Sequence, residues 1–209
     1  MTVKQQELKK EIWRIWEIEI VTKECFQFSF YFHKPDTEEE AKYLHNHHEF
    51  GSIRHILWRM TVIELSKLFS SSSKRDRYNL NHFISKLKKD GHFGDMGISL
   101  SSIDKWELAL RDNKNHIDNI LTLRDKIYAH TDPNKDDYKA IDLSFQDVEV
   151  LIKIVEDLIK EVYLVVFDAG TDMSTPTFDR SRFDMIRILS SEKRKKLEEI
   201  LGSRFTIKE

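Results

Sequence analysis

Arg124 and His130 are the pair of residues whose types and place could do chemistry together. They lie in the segment Leu123–Asp132, L-R-D-K-I-Y-A-H-T-D. A guanidinium can neutralise charge that builds on a phosphoryl oxygen, and an imidazole can carry a proton at neutral pH. Together they suit a phosphodiester. Spacing alone says little, because Arg75 and Arg77 with His82, and Arg111 with His116, follow similar patterns. Position says more. The apolar stripe Ile103, Trp106, Leu110, Ile117, Ile120 leads next to Arg124, with Tyr128 four residues on. A permanent charge is therefore aimed at a packed face, which is costly without a partner. His130 stands in the last turn, where the helix dipole and Asp132 favour its protonated form. The competing reading is a buried Arg–Asp or Arg–Glu pair with a capping histidine, and Glu64 is a candidate partner.

A second cluster is His45-Asn46-His47-His48-Glu49, with His55 further on. On one continuous helix His45, His48 and Glu49 share a side, and two imidazoles with a carboxylate could ligate zinc or iron. A polar helix face explains them equally well. The chain has no glycine-rich phosphate loop, no H-E-x-x-H and no G-x-S-x-G.

The elements that must position these residues read as helices. Three prolines and six glycines in 209 residues leave few breakers. The first helix is expected from about Lys4 to Phe30, although F-Q-F-S-F-Y-F alternates like a strand at its end. Thr37 and Glu40 form a capping box for a second helix expected to run to about Phe69. A short basic segment, Asp76–Lys89, follows. Ser101 with Asp104 is expected to cap a helix that ends at Asp132-Pro133, since a residue before proline disfavours the helical region. Ser144 with Asp147 caps the next. Its stripe Val148, Leu151, Val155, Leu158, Val162, Val165 alternates spacings of three and four, as in a helix packed lengthwise on another. Gly170 is the expected stop. A charged amphipathic segment spans about Arg180–Leu201. The expected fold is all-α, an antiparallel bundle of five to six helices. Residues 1–170 form the bundle, and 171–209 form a helical extension packed on the same domain.

Composition narrows the function classes. Lysine and arginine number 34 against 36 aspartates and glutamates, a net charge of −2, so any nucleic-acid contact needs a local basic patch. Lys74, Arg75, Arg77, Lys86, Lys88 and Lys89 could supply one, or form a solvated face. The single cysteine, Cys25, rules out an intrachain disulfide and a multi-cysteine zinc site. No apolar run approaches the roughly 20 residues of a membrane span, and the N-terminus lacks a signal-peptide core. These features point to a cytoplasmic protein with no membrane contact.

The segment L-R-D-K-I-Y-A-H-T-D resembles the signature of the HEPN superfamily, in which an arginine, a polar residue and a histidine follow in order. Arg124, Asp125 and His130 match those places. The ending Ala129-His130-Thr131-Asp132 is similar to the branch linked with bacterial abortive infection of phage, as is His55–Phe69. The wider likeness is helical pattern over Thr37–Phe167. The resemblance implies a helical bundle and metal-independent RNA cleavage that needs no cofactor. His130 would handle the proton, Arg124 would hold the phosphate oxygens, and Asp125 would orient the arginine or the RNA. It also implies a homodimer through the motif face, which fits Tyr128 on the stripe of Arg124, and an antitoxin as a further protein partner. In HEPN toxins silenced by adenylylation a tyrosine follows two residues after the histidine; here that place is Asp132. Many HEPN domains only bind or dimerise, so an inert module that binds a partner or a nucleotide is the alternative.

Overall fold

The structure is a computed structural model. It describes residues 1–71, 76–128, 143–173 and 184–205, with side chains to 202 in the last stretch. All regular elements among them are helical. They are α1 (Val3–His33), α2 (Glu38–His45), α3 (His48–Phe69), α4 (Leu80–Leu87), α5 (Leu100–Asp112), α6 (Lys114–Thr122), a π-helical turn (Leu123–Tyr128), α7 (Phe145–Phe167) and α8 (Asp184–Phe205).

The spine is α1, roughly 46 Å long at 1.5 Å per residue. Leu8, Ile12, Ile15, Glu19, Thr22, Phe26 and Ser29 are buried at alternating steps of four and three, and Tyr31 is buried beyond them. That seam packs along α3 and α7. The bond from Ser29 Oγ to the Arg54 carbonyl joins the end of α1 to the first half of α3. The helix does not stop at the alternating F-Q-F-S-F-Y-F. Phe26 stacks on Phe30 at 6.2 Å and Phe28 meets Phe32 at 6.3 Å, both four residues apart, so helical spacing pairs the rings.

Two expected helices are broken, which raises the count above six. The Thr37–Phe69 helix divides at Asn46-His47. Thr37 and Glu40 do form the capping box of α2. However, α2 leaves the line of α3, and Leu44 buries with Tyr31 and Ile186 of α8. The Ser101-capped helix starts instead at Ser99, whose hydroxyl accepts from the Ser102 N–H, and it divides again at Asn113. Ser144 and Asp147 cap α7 as expected. Its stop is Asp168 in the left-handed conformation, φ 50°, rather than Gly170, with the Ala169 N–H donating back to the Tyr163 carbonyl. The main core gathers α1, α3, α4, α5, α6 and α7 around Trp106, Phe83, Leu65 and Val155. None of the described helices is long and apolar enough to cross a membrane.

Candidate functional site

Three residues of α3 build the site. His55, Arg59 and Ser66 are spaced by four and seven, so they share one side of the helix. The end of α6 and the π turn lie against that side.

Arg124, the second residue of the π turn, is largely buried, with 15 % of its side chain exposed. Its Nε donates to Asp125 Oδ1 at 2.7 Å, a short charge-assisted bond. Nη1 lies 3.4 Å from Asp76 Oδ2 and 3.5 Å from Ser66 Oγ, at the long edge of hydrogen bonding. The bond to Asp125 holds the guanidinium protonated even beyond its ordinary range. Burial opposes this, and the charges of Asp125 and Asp76 reinforce it. Asp125 is 45 % exposed, so the guanidinium is clamped on one side by a carboxylate that faces water.

Tyr128 ends the described turn. Its ring meets that of His55 edge-on at 6.0 Å. Burial pushes its phenol above the usual tyrosine range, against a hydrogen bond with Trp58 and the charge of Arg59. Arg59 Nη2 donates to the Tyr128 carbonyl. A hydrogen bond from a guanidinium is charge-assisted and stronger than a neutral one. Arg59 therefore fixes the place from which the chain continues toward His130. His130 and Asp132 themselves lie outside the described residues, as do Lys74 and Arg75.

Glu64 is not the partner of Arg124. It pairs with Lys67 at 2.5 Å on its own helix. Glu64 and Ser66 stand two positions apart, a turn of about 200°, so Glu64 faces away from the side that meets Arg124. Nor does one helix align His45, His48 and Glu49. His45 ends α2 and His48 begins α3, with the break between them. Among the described residues no group of three or more histidine, cysteine, aspartate or glutamate side chains could hold a metal ion. In the basic segment, Lys86 pairs with Glu11 and Lys88 with Glu107, both at 2.6 Å, and Arg77 lies over the Tyr78 ring. Lys86 and Lys88, two of the four described cations of that patch, are thus matched by carboxylates.

Sequence reasoning missed Arg59, Ser66 and Asp76. Arg59 left a signal, a cation four residues from His55 inside a helix. Asp76 left none, because its closeness to Arg124 depends on tertiary packing.

The HEPN_AbiU2 family model, described as AbiU2, matches residues 5–188. The chain belongs to this HEPN family. The match extends beyond Thr37–Phe167 in both directions, into α1 and the start of α8, and it includes every residue of the site. No curated protein and no solved structure matches the chain. The all-helical architecture agrees with a HEPN bundle, and the AbiU2 match places the chain in the abortive-infection-related branch of the superfamily. In this HEPN protein the motif arginine stands on a π turn. Such turns occur mostly as single insertions within α-helices and are frequent at functional sites.

Proposed function

We propose that this HEPN chain is a metal-independent endoribonuclease of a phage-defence or toxin–antitoxin system, with Arg124 and His130 as its catalytic residues. The observation that carries this reading is the placement of Arg124. A guanidinium is drawn to the inner edge of the bundle, oriented through Nε by Asp125, six residues before His130. The substrate's own 2′-hydroxyl attacks the neighbouring phosphorus and loses its proton to a base, the role given to His130. The bond to the 5′-oxygen breaks, and that oxygen takes up a proton. The products are a 2′,3′-cyclic phosphate and a 5′-hydroxyl. Arg124 stabilises the charge on the phosphoryl oxygens. The long Nη1 contact with Asp76 is the one that phosphate would replace, while the bond to Asp125 keeps the orientation.

The active form in this reading is a homodimer with two Arg–His sets in one cleft. Support comes from α3, where Ile53, Ile56 and Met60 form an exposed apolar stripe at spacings of three and four beside Arg59. Sedimentation should show a dimer at micromolar concentration, and a monomer would count against the shared cleft. An antitoxin protein that covers this face is the partner the reading expects.

One observation favours the alternative, a catalytically inert HEPN module for dimerisation and binding of a partner or nucleotide. Two carboxylates already surround Arg124, as in a structural ion pair. Cleavage by the parent and by His130→Ala separates the two readings. The parent should leave 2′,3′-cyclic phosphate ends with EDTA present, and should spare RNA that is 2′-deoxy at the cut position. His130→Ala should lose about 10²–10⁴-fold in rate. Equal cleavage by both, or none by folded parent, would favour the inert module.

A further inference from the structure

The corner between α2 and α3 holds a cavity of about 660 Å³, within the size range of ligand sites. Phe32 and Phe50 line it, their rings 5.7 Å apart. His47 lines it as well, and its Nε2 lies 3.2 Å from Lys193 Nζ. An ammonium group only donates, so Nε2 is the accepting nitrogen in this contact. Lys42 and Arg54 are the cations of the wall, and among the described residues no carboxylate lines it. His47 is also the N-cap of α3 and makes no side-chain capping bond, so the positive end of a 22-residue helix is uncapped at this wall. Aromatic rings beside cations, with no opposing carboxylate, suit a base and its phosphate.

The cavity borders the side of α3 that leads to Arg124. His48 lines the cavity, and His48, His55, Arg59 and Ser66 follow at seven, four and seven residues along α3. One side of one helix therefore runs from the edge of the cavity at His48 to the hydroxyl beside Arg124, a span of roughly 27 Å, while His47, Phe50 and Arg54 stand roughly 100–160° round the helix from that line. This is the reach of a short oligonucleotide and far more than a mononucleotide.

We propose that the α2–α3 cavity is a subsite for single-stranded RNA, holding one nucleotide of a strand whose cut position lies at Arg124. The proposal rests on the RNA-cleavage reading of that site. Arg54 and Lys42 take the phosphate, and the base lies against Phe32, Phe50 and His47. Single strands are required, because only unpaired bases offer a free face to the rings.

The test is fluorescence anisotropy of the full-length protein with a labelled 12-nucleotide 2′-O-methyl RNA. This probe keeps bases and phosphates but lacks the nucleophile. Arg54→Glu should weaken binding about tenfold and lower the salt slope by about one. Gly51→Met adds bulk at the cavity wall, where a Cβ meets no atom within 4 Å, so the fold is spared. It should weaken binding several-fold at an unchanged melting temperature. If the parent binds this RNA and both variants bind it equally well, the subsite is wrong while the cleavage reading stands. Duplex RNA binding as tightly as the single strand would also overturn the subsite. A folded parent that binds no RNA would remove the subsite and the cleavage reading together.

Discussion

Two charged clusters border the core, and they are built in different ways. Lys23 of α1 pairs with Glu156 of α7 and donates to the Met173 carbonyl at 2.6 Å, which ties the chain after α7 back onto α1. Glu19 lies one turn before Lys23, 1 % exposed, with Oε1 unpartnered among the described residues. Burial, and then the charge of Glu156, push its carboxyl up to about 7 against the pull of Lys23 and Lys160. These carboxylates and lysines stand four residues apart on two regular helices that already pack together. The Arg124 cluster draws instead on a π turn, on Ser66 of α3 and on Asp76 outside any helix. A charge held between regular helices joins them. A charge held by irregular segments is fixed at a chosen point, which the joining of helices does not require.

Substitutions can break that distinction. The largest effect should come from Arg124→Ala, which should lower kcat for RNA about 10²–10³-fold, as loss of a preorganised charge does. A variant that cleaved like the parent would reduce the Arg124 cluster to a structural pair like the other. Next, Lys23→Ala leaves Glu156 and Glu19 without their main cation. It should lower unfolding free energy by about 3 kcal/mol, the scale for removing one partner of a buried pair. Cleavage per folded molecule should not change, and denaturant melts beside initial rates would show whether the two clusters separate in this way.

Glu19→Gln should act through pH. The folded-state pKa of Glu19 is raised to about 7, above its unfolded value near 4.3. Between those values the folded state binds more protons, so stability contributed by protonated Glu19 is lost as pH rises from about 4.5 through 7. The neutral variant should exceed the parent at pH 8 by roughly 1–3 kcal/mol and match it near pH 4. A constant gap across that range would show that Glu19 does not titrate there. The smallest effect should be that of Ser66→Ala. Its hydroxyl donates to the Ile63 carbonyl at 2.7 Å and only weakly meets Arg124, so about 0.5–1 kcal/mol of stability is expected, with little change in rate.

Local chemistry made part of this fold legible. The capping boxes at Thr37 and Ser144 rest on side chains three residues apart, and the seam of α7 is a repeating spacing. Both survive folding because no distant partner is needed to form them. The break at Asn46-His47 was not legible. No proline or glycine marks it, and it follows from Leu44 turning toward Tyr31 and Ile186, more than a hundred residues apart in the chain. At the site, Arg124 stood out because a charge interrupts an apolar stripe. Its partner Asp76 stands outside any helix, where no apolar stripe points to it, so the helical Glu64 on a packed face was the candidate. The π turn has no compositional signature, since L-R-D-K-I-Y would serve an ordinary α-helix.

That turn also governs phase. A π ladder joins residue i to i+5 where an α ladder joins i to i+4, so it carries one residue more per turn than the helix it extends. Each residue of an α-helix advances the bearing by about 100°. Removing one residue, such as Lys126, would let Leu123–Tyr128 close as ordinary α-helix with Arg124 in line with α6 and Tyr128 near its present bearing. Closing the same turn as α-helix with all six residues kept would instead swing Tyr128 by about 100°, away from the bond that Arg59 donates to its carbonyl. The angular relation between Arg124 and Tyr128 thus rests on the one extra residue of the turn. A one-residue deletion here should therefore disturb the Arg59 bond less than a substitution that straightens the turn at full length.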